Sequence, residues 1–135
     1  MKAIVFEKYG PPEVLQLKEV EKPVPGDNEL LIKVRATAVN ATDPITRKGE
    51  PFIARLGTGL TRPKEPVPGD VLAGEIEAVG PAVTMFQAGD AVFGTTAPRL
   101  GAHAEYLCLP EDGALALKPA NMTFEEAAAV CDGAL

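Results

Sequence analysis

The stretch from Pro68 to Gly94 constrains the fold of this chain most, because it places an extended segment between glycine turns. Within it, Val71–Val79 has the composition and the two-residue alternation of a strand. Gly69-Asp70 and Gly89-Asp90 predict tight turns on either side, since glycine accepts positive φ and an aspartate side chain can bond its own backbone. The stretch therefore predicts a strand bounded by turns.

The rest of the chain also alternates extended segments with turns, since the whole sequence has 13 glycines and 13 prolines among 135 residues. The clearest strand is Glu29–Val39, where Ile32, Val34 and Ala36 fall on the face opposite Lys33. Further strands are predicted at Lys2–Phe6, Val14–Val20, Ala91–Gly94, Ala102–Leu109 and Ala114–Leu117. Many short strands at close spacing predict a mainly β fold, a partly open barrel with short helices.

A helix is predicted near the end of the chain. Thr123 and Glu126 have the spacing of a capping box, in which each side chain bonds the backbone amide of the other residue. The alanines that follow are strong helix formers. Because a helix of about two turns is marginal by itself, its order must come from tertiary packing.

Composition excludes several classes of protein. A chain of 135 residues with 46% hydrophobic and 24% charged residues is expected to fold as one globular domain. The net charge is -6 and the sequence has no Lys/Arg cluster that could neutralise phosphates, so nucleic acid is not an expected partner. The amino terminus has only four consecutive apolar residues before Glu7, too few for a signal peptide or a membrane span. We therefore expect no membrane association and a cytoplasmic location.

Metal binding is not expected either. The chain has one histidine, His103, and two separated cysteines, Cys108 and Cys131. A structural zinc site needs four nitrogen or sulfur ligands, which one histidine and two widely separated cysteines cannot provide, and a catalytic site needs three plus an open position. Both cysteines sit among apolar neighbours and are interpreted as buried thiols.

Seven short segments, in order, carry a resemblance to a known family. They are VNATD from Val39, RKG from Arg47, AGEIEAVG from Ala73, AGDAVFG from Ala88, GAHAEY from Gly101, LKP from Leu117 and FEEAAAV from Phe124. Together they resemble the zinc-independent quinone oxidoreductase branch of the medium-chain dehydrogenases and reductases. The zinc enzymes of that superfamily are similar to one another in a cysteine and a Gly-His-Glu that this sequence replaces with Val39–Asp43 and Gly69–Val71.

This resemblance implies that residues 1–135 are a GroES-like catalytic domain. It also implies a Rossmann nucleotide-binding domain, and since no G-x-G-x-x-G occurs here, that domain is expected to be absent from this chain. The implied reaction is hydride transfer from NADPH or NADH to a quinone, enone or related small carbonyl compound, with no metal. The chain by itself is expected to be inactive.

The resemblance also nominates site residues. Asn40 is the candidate for contact with the nicotinamide and for catalysis, with a strand-ending turn residue as the alternative. Asp43 is a candidate catalytic residue, with a helix cap as the alternative. The branch often has a tyrosine where Ile45 stands, which leaves the proton donor open, and a structural role is favoured for His103.

A different class of function is also open. A GroES-like barrel could act alone as a binding or co-chaperone module, with the irregular segment at residues 50–68 as its mobile loop. That segment contains Phe52, Ile53 and Leu56. The VNATD segment and the terminal helix have no purpose in that interpretation. The sequence does not identify the acceptor, the choice between NADH and NADPH, or the oligomeric state.

Overall fold

A five-stranded antiparallel sheet forms the centre of the fold. The computed structural model describes residues 1–39, 43, 47–48, 66–96 and 100–134, with the backbone alone at 132–134. Its elements are β1 (Lys2–Val5), a 3-10 turn (Pro12–Val14), β2 (Gln16–Glu19), β3 (Glu29–Thr37), β4 (Val71–Val79), β5 (Ala91–Thr95), β6 (Tyr106–Pro110), β7 (Leu115–Leu117) and α1 (Phe124–Ala134).

The sheet runs in the order β6-β3-β4-β5-β7, and β1 and β2 form a separate two-stranded hairpin. An isolated bridge between Ala3 and Ala104 joins that hairpin to the segment before β6. No pairing between the described strands joins β6 to β7, so the sheet does not close. This arrangement confirms the predicted mainly β, partly open barrel.

Strand β3 is an interior strand of the sheet, between β6 and β4, and one of its faces packs into the core. Leu30 and Ile32 are completely buried, whereas Lys33, Arg35 and Thr37 are exposed. Their partners in the core come from the neighbouring strands: Leu72, Ile76, Val92, Leu107 and Leu109. Full burial of each such side chain contributes about 1.5–3 kcal/mol, so this face provides most of the driving force for folding.

The helix α1 packs against the outer side of the same sheet. Ala127 and Ala128 are buried against Ala73 of β4, with Phe93 and Phe124 beside them. The capping box is present, because the Thr123 backbone N–H donates to Oε1 of Glu126 at 3.0 Å and the Glu126 N–H donates to Oγ1 of Thr123 at 3.1 Å. The helix therefore finds its tertiary partner within this chain.

Several element boundaries differ from those predicted. Val14 ends a 3-10 turn, so β2 begins only at Gln16, and β6 begins at Tyr106 because residues 103–105 bond to β1. Gly69 and Gly89 have the expected positive φ. The turn before β3 is held by a hydrogen bond from the Gly26 N–H to the carboxylate of Glu29 at 2.8 Å. Among the described residues, no helix is long and apolar enough to cross a membrane.

Candidate functional site

The candidate site lies where the end of β3 meets the turn that precedes β4. The Thr37 hydroxyl donates to the carbonyl of Val71 at 2.7 Å, which holds the last residue of β3 against the start of β4. The Gly69 turn lies next to this contact and has φ +98°. The chain continues from β3 through Ala38 and Val39 towards the VNATD residues singled out in the sequence.

His103 is held at this junction by its backbone. Its N–H donates to the carbonyl of Pro68 at 2.9 Å, and its carbonyl accepts from the N–H of Ile4 at 3.0 Å. The imidazole ring lies against Gly69: a Cβ atom on that glycine would be 2.5 Å from Cδ2 of the ring. The hairpin, the Gly69 turn and the ring are therefore fixed relative to one another.

The ring of His103 points its Nε2 towards two oxygens. One is the carbonyl oxygen of Ala38 at 3.2 Å, and the other is Oδ2 of Asp43 at 4.0 Å. The His103 and Asp43 side chains are only 12% and 13% exposed. This places a carboxylate next to an imidazole with little water around either group.

A cavity of about 270 Å³ opens beside this pair. Its apolar wall consists of Ile4, Leu15, Leu17, Val39 and Pro68, and its polar lining consists of Gln16, Asp43, Arg47 and His103. We call it the Asp43–His103 cavity. Arg47 is anchored to the turn after β1, since its Nε donates to the carbonyl of Gly10 at 3.2 Å and its own carbonyl accepts from Gly10 N–H at 2.9 Å.

The lining of this cavity suits a small, mostly apolar molecule that carries a polar group. Val39 and Leu17 are 82% and 67% exposed, so part of the apolar lining is open to solvent. Donors among the polar lining residues could bond a carbonyl oxygen.

The predicted site residues are placed only in part. Asp43 is in the site, whereas Asn40, Ile45 and Phe52 lie outside the described residues. Sequence reasoning favoured a structural role for His103, and the structure places its ring 4.0 Å from Asp43. The sequence signal that could have drawn attention to it is that it is the single histidine of the chain, within GAHAEY.

Other titratable groups in the described part of the chain are less suited to chemistry. Burial raises the pKa of the thiols of Cys108 and Cys131, which makes them poor nucleophiles. A hydrogen bond from Lys22 holds the pKa of Glu77 below its usual value, but both groups are on the surface. No group of three or more His, Cys, Asp or Glu side chains among the described residues could hold a metal ion.

Comparison with known proteins gives a consistent result. Residues 26–119 match the family described as the alcohol dehydrogenase GroES-like domain. The quinone oxidoreductase of Pseudomonas aeruginosa is 40% identical over 129 residues, which cover 96% of this chain and 37% of that protein. The chloroplastic NADPH-dependent alkenal/one oxidoreductase of Arabidopsis thaliana is 36% identical over 136 residues, covering 95% of this chain and 33% of that protein.

Solved structures agree with this match. The quinone oxidoreductase of Coxiella burnetii superposes with a TM-score of 0.82 at 36% identity, covering 95% of this chain and 40% of that one. The Escherichia coli quinone oxidoreductase complexed with NADPH superposes with a TM-score of 0.79 at 32% identity, covering 96% and 38%. The chain thus spans well under half the length of the proteins it matches.

Proposed function

Because this chain belongs to the alcohol dehydrogenase GroES-like domain family of the medium-chain dehydrogenases and reductases, in its quinone oxidoreductase-like branch, we propose that it is the amino-terminal catalytic domain of a NAD(P)H-dependent oxidoreductase. The proposed acceptor is a quinone, enone or related small carbonyl compound. One observation carries this proposal: relatives named quinone oxidoreductases match almost the whole chain at up to 40% identity.

The residues present fit one part of a nicotinamide cofactor and not another. The Asp43–His103 cavity, at about 270 Å³, has room for a single planar ring and not for a dinucleotide. The sequence contains no G-x-G-x-x-G to bind a pyrophosphate. We therefore propose that a separate Rossmann domain binds the dinucleotide and that this domain contributes the acceptor side of the site.

When bound, the nicotinamide supplies the hydride. The proposed task of this domain is to position the acceptor for that transfer and to exclude water from it. The apolar side chains that line the cavity could pack against an acceptor ring, and its polar side chains could orient the acceptor oxygen. Asn40 as the nicotinamide contact and Asp43 as a catalytic residue remain part of this proposal.

We propose that the reaction needs no zinc. The sequence has a single histidine, and the positions that resemble the zinc ligands of related enzymes carry Val39–Asp43 and Gly69–Val71. A carbonyl oxygen would then be polarised by side-chain donors rather than by a Lewis acid.

A hybrid enzyme tests the proposal. This chain would replace the matching 37% of the Pseudomonas aeruginosa quinone oxidoreductase, which is 40% identical to it. We expect the hybrid to oxidise NADPH in the presence of 1,4-benzoquinone or 2-cyclohexenone. The chain alone should show no saturable binding of NADPH at micromolar concentration by calorimetry, because the dinucleotide phosphates have no cradle.

The opposite results would contradict the proposal. A hybrid that binds NADPH but reduces neither acceptor would argue against a catalytic role and in favour of the binding-module alternative. Tight NADPH binding by the chain alone would show that no second domain is needed for the cofactor.

A further inference from the structure

We propose that His103 is the proton donor of this reaction, with Asp43 as the residue that holds its ring in position. This inference rests on the proposed function, since it assigns a role within the same site. The contacts that Ala38 and Asp43 make with the nitrogens of the His103 ring support the proposal.

The contact with Ala38 determines where the neutral ring carries its hydrogen. A carbonyl oxygen can only accept, so the 3.2 Å contact requires that Nε2 of His103 be the N–H donor. Nδ1 is then the nitrogen with the lone pair. It is the atom on which a proton can be taken up and released.

We assign the proton transfer to Nδ1. The contacts found between the described residues and the ring nitrogens are at Nε2, from Ala38 and Asp43. The His103 side chain is 12% exposed and lines a cavity of about 270 Å³, so a molecule in that cavity would lie beside the imidazole.

Asp43 lies on the opposite side of the ring from Nδ1. Its Oδ2 is 4.0 Å from Nε2, the nitrogen that already carries a hydrogen. A carboxylate on the N–H side of an imidazole can hold the orientation of the ring. Because both side chains are almost buried, little water screens this interaction.

Other charged groups also lie near His103. In the Asp43–His103 cavity Arg47 is bonded to the carbonyl of Gly10. A second groove lined by His103 carries Lys2, Arg35 and Glu105. The carboxylate of Glu105 accepts from the backbone of Lys2, and Arg35 contacts Glu75 at 3.4 Å. Among the described residues, Asp43 is the charged group found in contact with a ring nitrogen, at 4.0 Å.

The proposed step balances as follows. The acceptor gains a hydride, with its two electrons, at one carbon, and its carbonyl oxygen becomes an oxyanion. The N–H bond at Nδ1 of the imidazolium breaks, an O–H bond forms on that oxygen, and the ring returns to its neutral form with the hydrogen on Nε2. A proton from solvent then restores Nδ1–H, so each turnover consumes one NAD(P)H and one proton.

The first test uses this chain and its only histidine. Imidazole ¹⁵N spectra of the labelled protein above pH 8 should show the neutral ring protonated at Nε2. Phenol, an unreactive mimic of the hydroquinone product, should shift the Nδ1 resonance and leave Nε2 unchanged. A neutral ring protonated at Nδ1, or an Nδ1 signal that phenol does not move at its solubility limit, would overturn the proposal.

Asp43→Asn tests the positioning role. We expect the ¹⁵N resonance of Nε2 to shift, because an amide replaces the carboxylate beside that nitrogen, while the Ala38 carbonyl keeps the hydrogen there. Asp112→Asn removes an exposed carboxylate elsewhere and should leave both ring resonances unchanged. An unchanged Nε2 resonance in Asp43→Asn would remove Asp43 from the proposal.

The second test uses the hybrid enzyme. His103→Gln keeps a donor for Ala38 but cannot release a proton, and we expect kcat to fall at least about 100-fold with KM little changed. The decline of kcat at higher pH that the wild-type hybrid should show would disappear in this variant. His103→Phe, which keeps a planar ring against Gly69, should behave in the same way.

The two proposals fail in different ways. Full activity and an unchanged pH profile in both His103 variants would overturn the role of His103 and leave the oxidoreductase assignment intact. An inactive but folded and NADPH-bound parent hybrid would contradict the assignment itself, and the ¹⁵N spectra would still decide the state of His103.

Discussion

The ring of His103 fits against residue 69 only because that residue is glycine and has no side chain. The glycine has φ +98°, a conformation that side chains with a Cβ atom rarely adopt, and the imidazole ring occupies the space where that Cβ would lie. Two separate penalties therefore act on any substitution at this position. One comes from the backbone and the other from the contact with the ring.

Gly69→Ala should destabilise the fold by about 2–4 kcal/mol, the sum of backbone strain and forced repacking. Gly89→Ala is the matched control, because Gly89 has φ +96° with no atom within 4 Å of the added Cβ. That variant should lose only about 1 kcal/mol. Urea unfolding of both variants measures the difference, and equal losses would show that the ring of His103 does not fill the space beside Gly69.

At the scale of the elements, α1 shows how a short helix is made stable. Its buried face consists of small side chains, Ala127 and Ala128, which allow close approach to Ala73 of β4. Its first turn is closed by the reciprocal bonds of Thr123 and Glu126. Both features act on the same end of the helix, so the cap and the packing support each other.

Thr123→Ala should reduce stability by about 1 kcal/mol, because the Glu126 N–H loses its acceptor. Thr123→Ser keeps the hydroxyl and serves as the control. Hydrogen exchange of the amides at 126–130, followed by NMR, should accelerate in the alanine variant and stay near wild type in the serine variant. Equal exchange in both would mean that packing alone holds the helix.

The cap also makes the helix sensitive to acid. The hydrogen bond from the Thr123 backbone holds the pKa of Glu126 below its usual value. The folded pKa is lower than the unfolded one, so this stabilisation is present above about pH 4.3 and is lost as the pH falls through the folded value. Exchange at 126–130 should therefore speed up below about pH 4 after correction for intrinsic rates, whereas Glu126→Gln should show no such step.

Sequence reasoning worked best where one local rule decided the structure. The alternation of Ile32 with Lys33 placed β3 correctly, and the spacing of Thr123 and Glu126 identified the helix cap. It failed where contacts between distant segments decided. Residues 103–105 follow the strand pattern but bond to β1 instead, and His103 of this segment lies 4.0 Å from Asp43.

At the scale of the whole molecule, the expected absence of zinc can be tested by measuring the metal content of the purified protein. The purified chain should contain no stoichiometric zinc, because one histidine and two cysteines cannot complete a site and the raised pKa of both thiols disfavours the thiolate. Elemental analysis after dialysis measures this directly. About one zinc per chain would contradict the proposed zinc-independent reaction and would point to ligands outside the described residues.

The strand order has a consequence for how the protein is made. The interior strand β3 pairs with β4 on one edge and with β6 on the other, and Leu31 meets its β6 partner Cys108 only after the intervening 76 residues have been synthesised. At roughly 5–20 residues per second, the ribosome exposes an apolar nine-residue strand with an unpaired edge for several seconds. During that interval any other nascent chain can add to this edge. The yield of soluble protein should therefore depend on translation rate and on holdase chaperones more than on the stability of the finished fold.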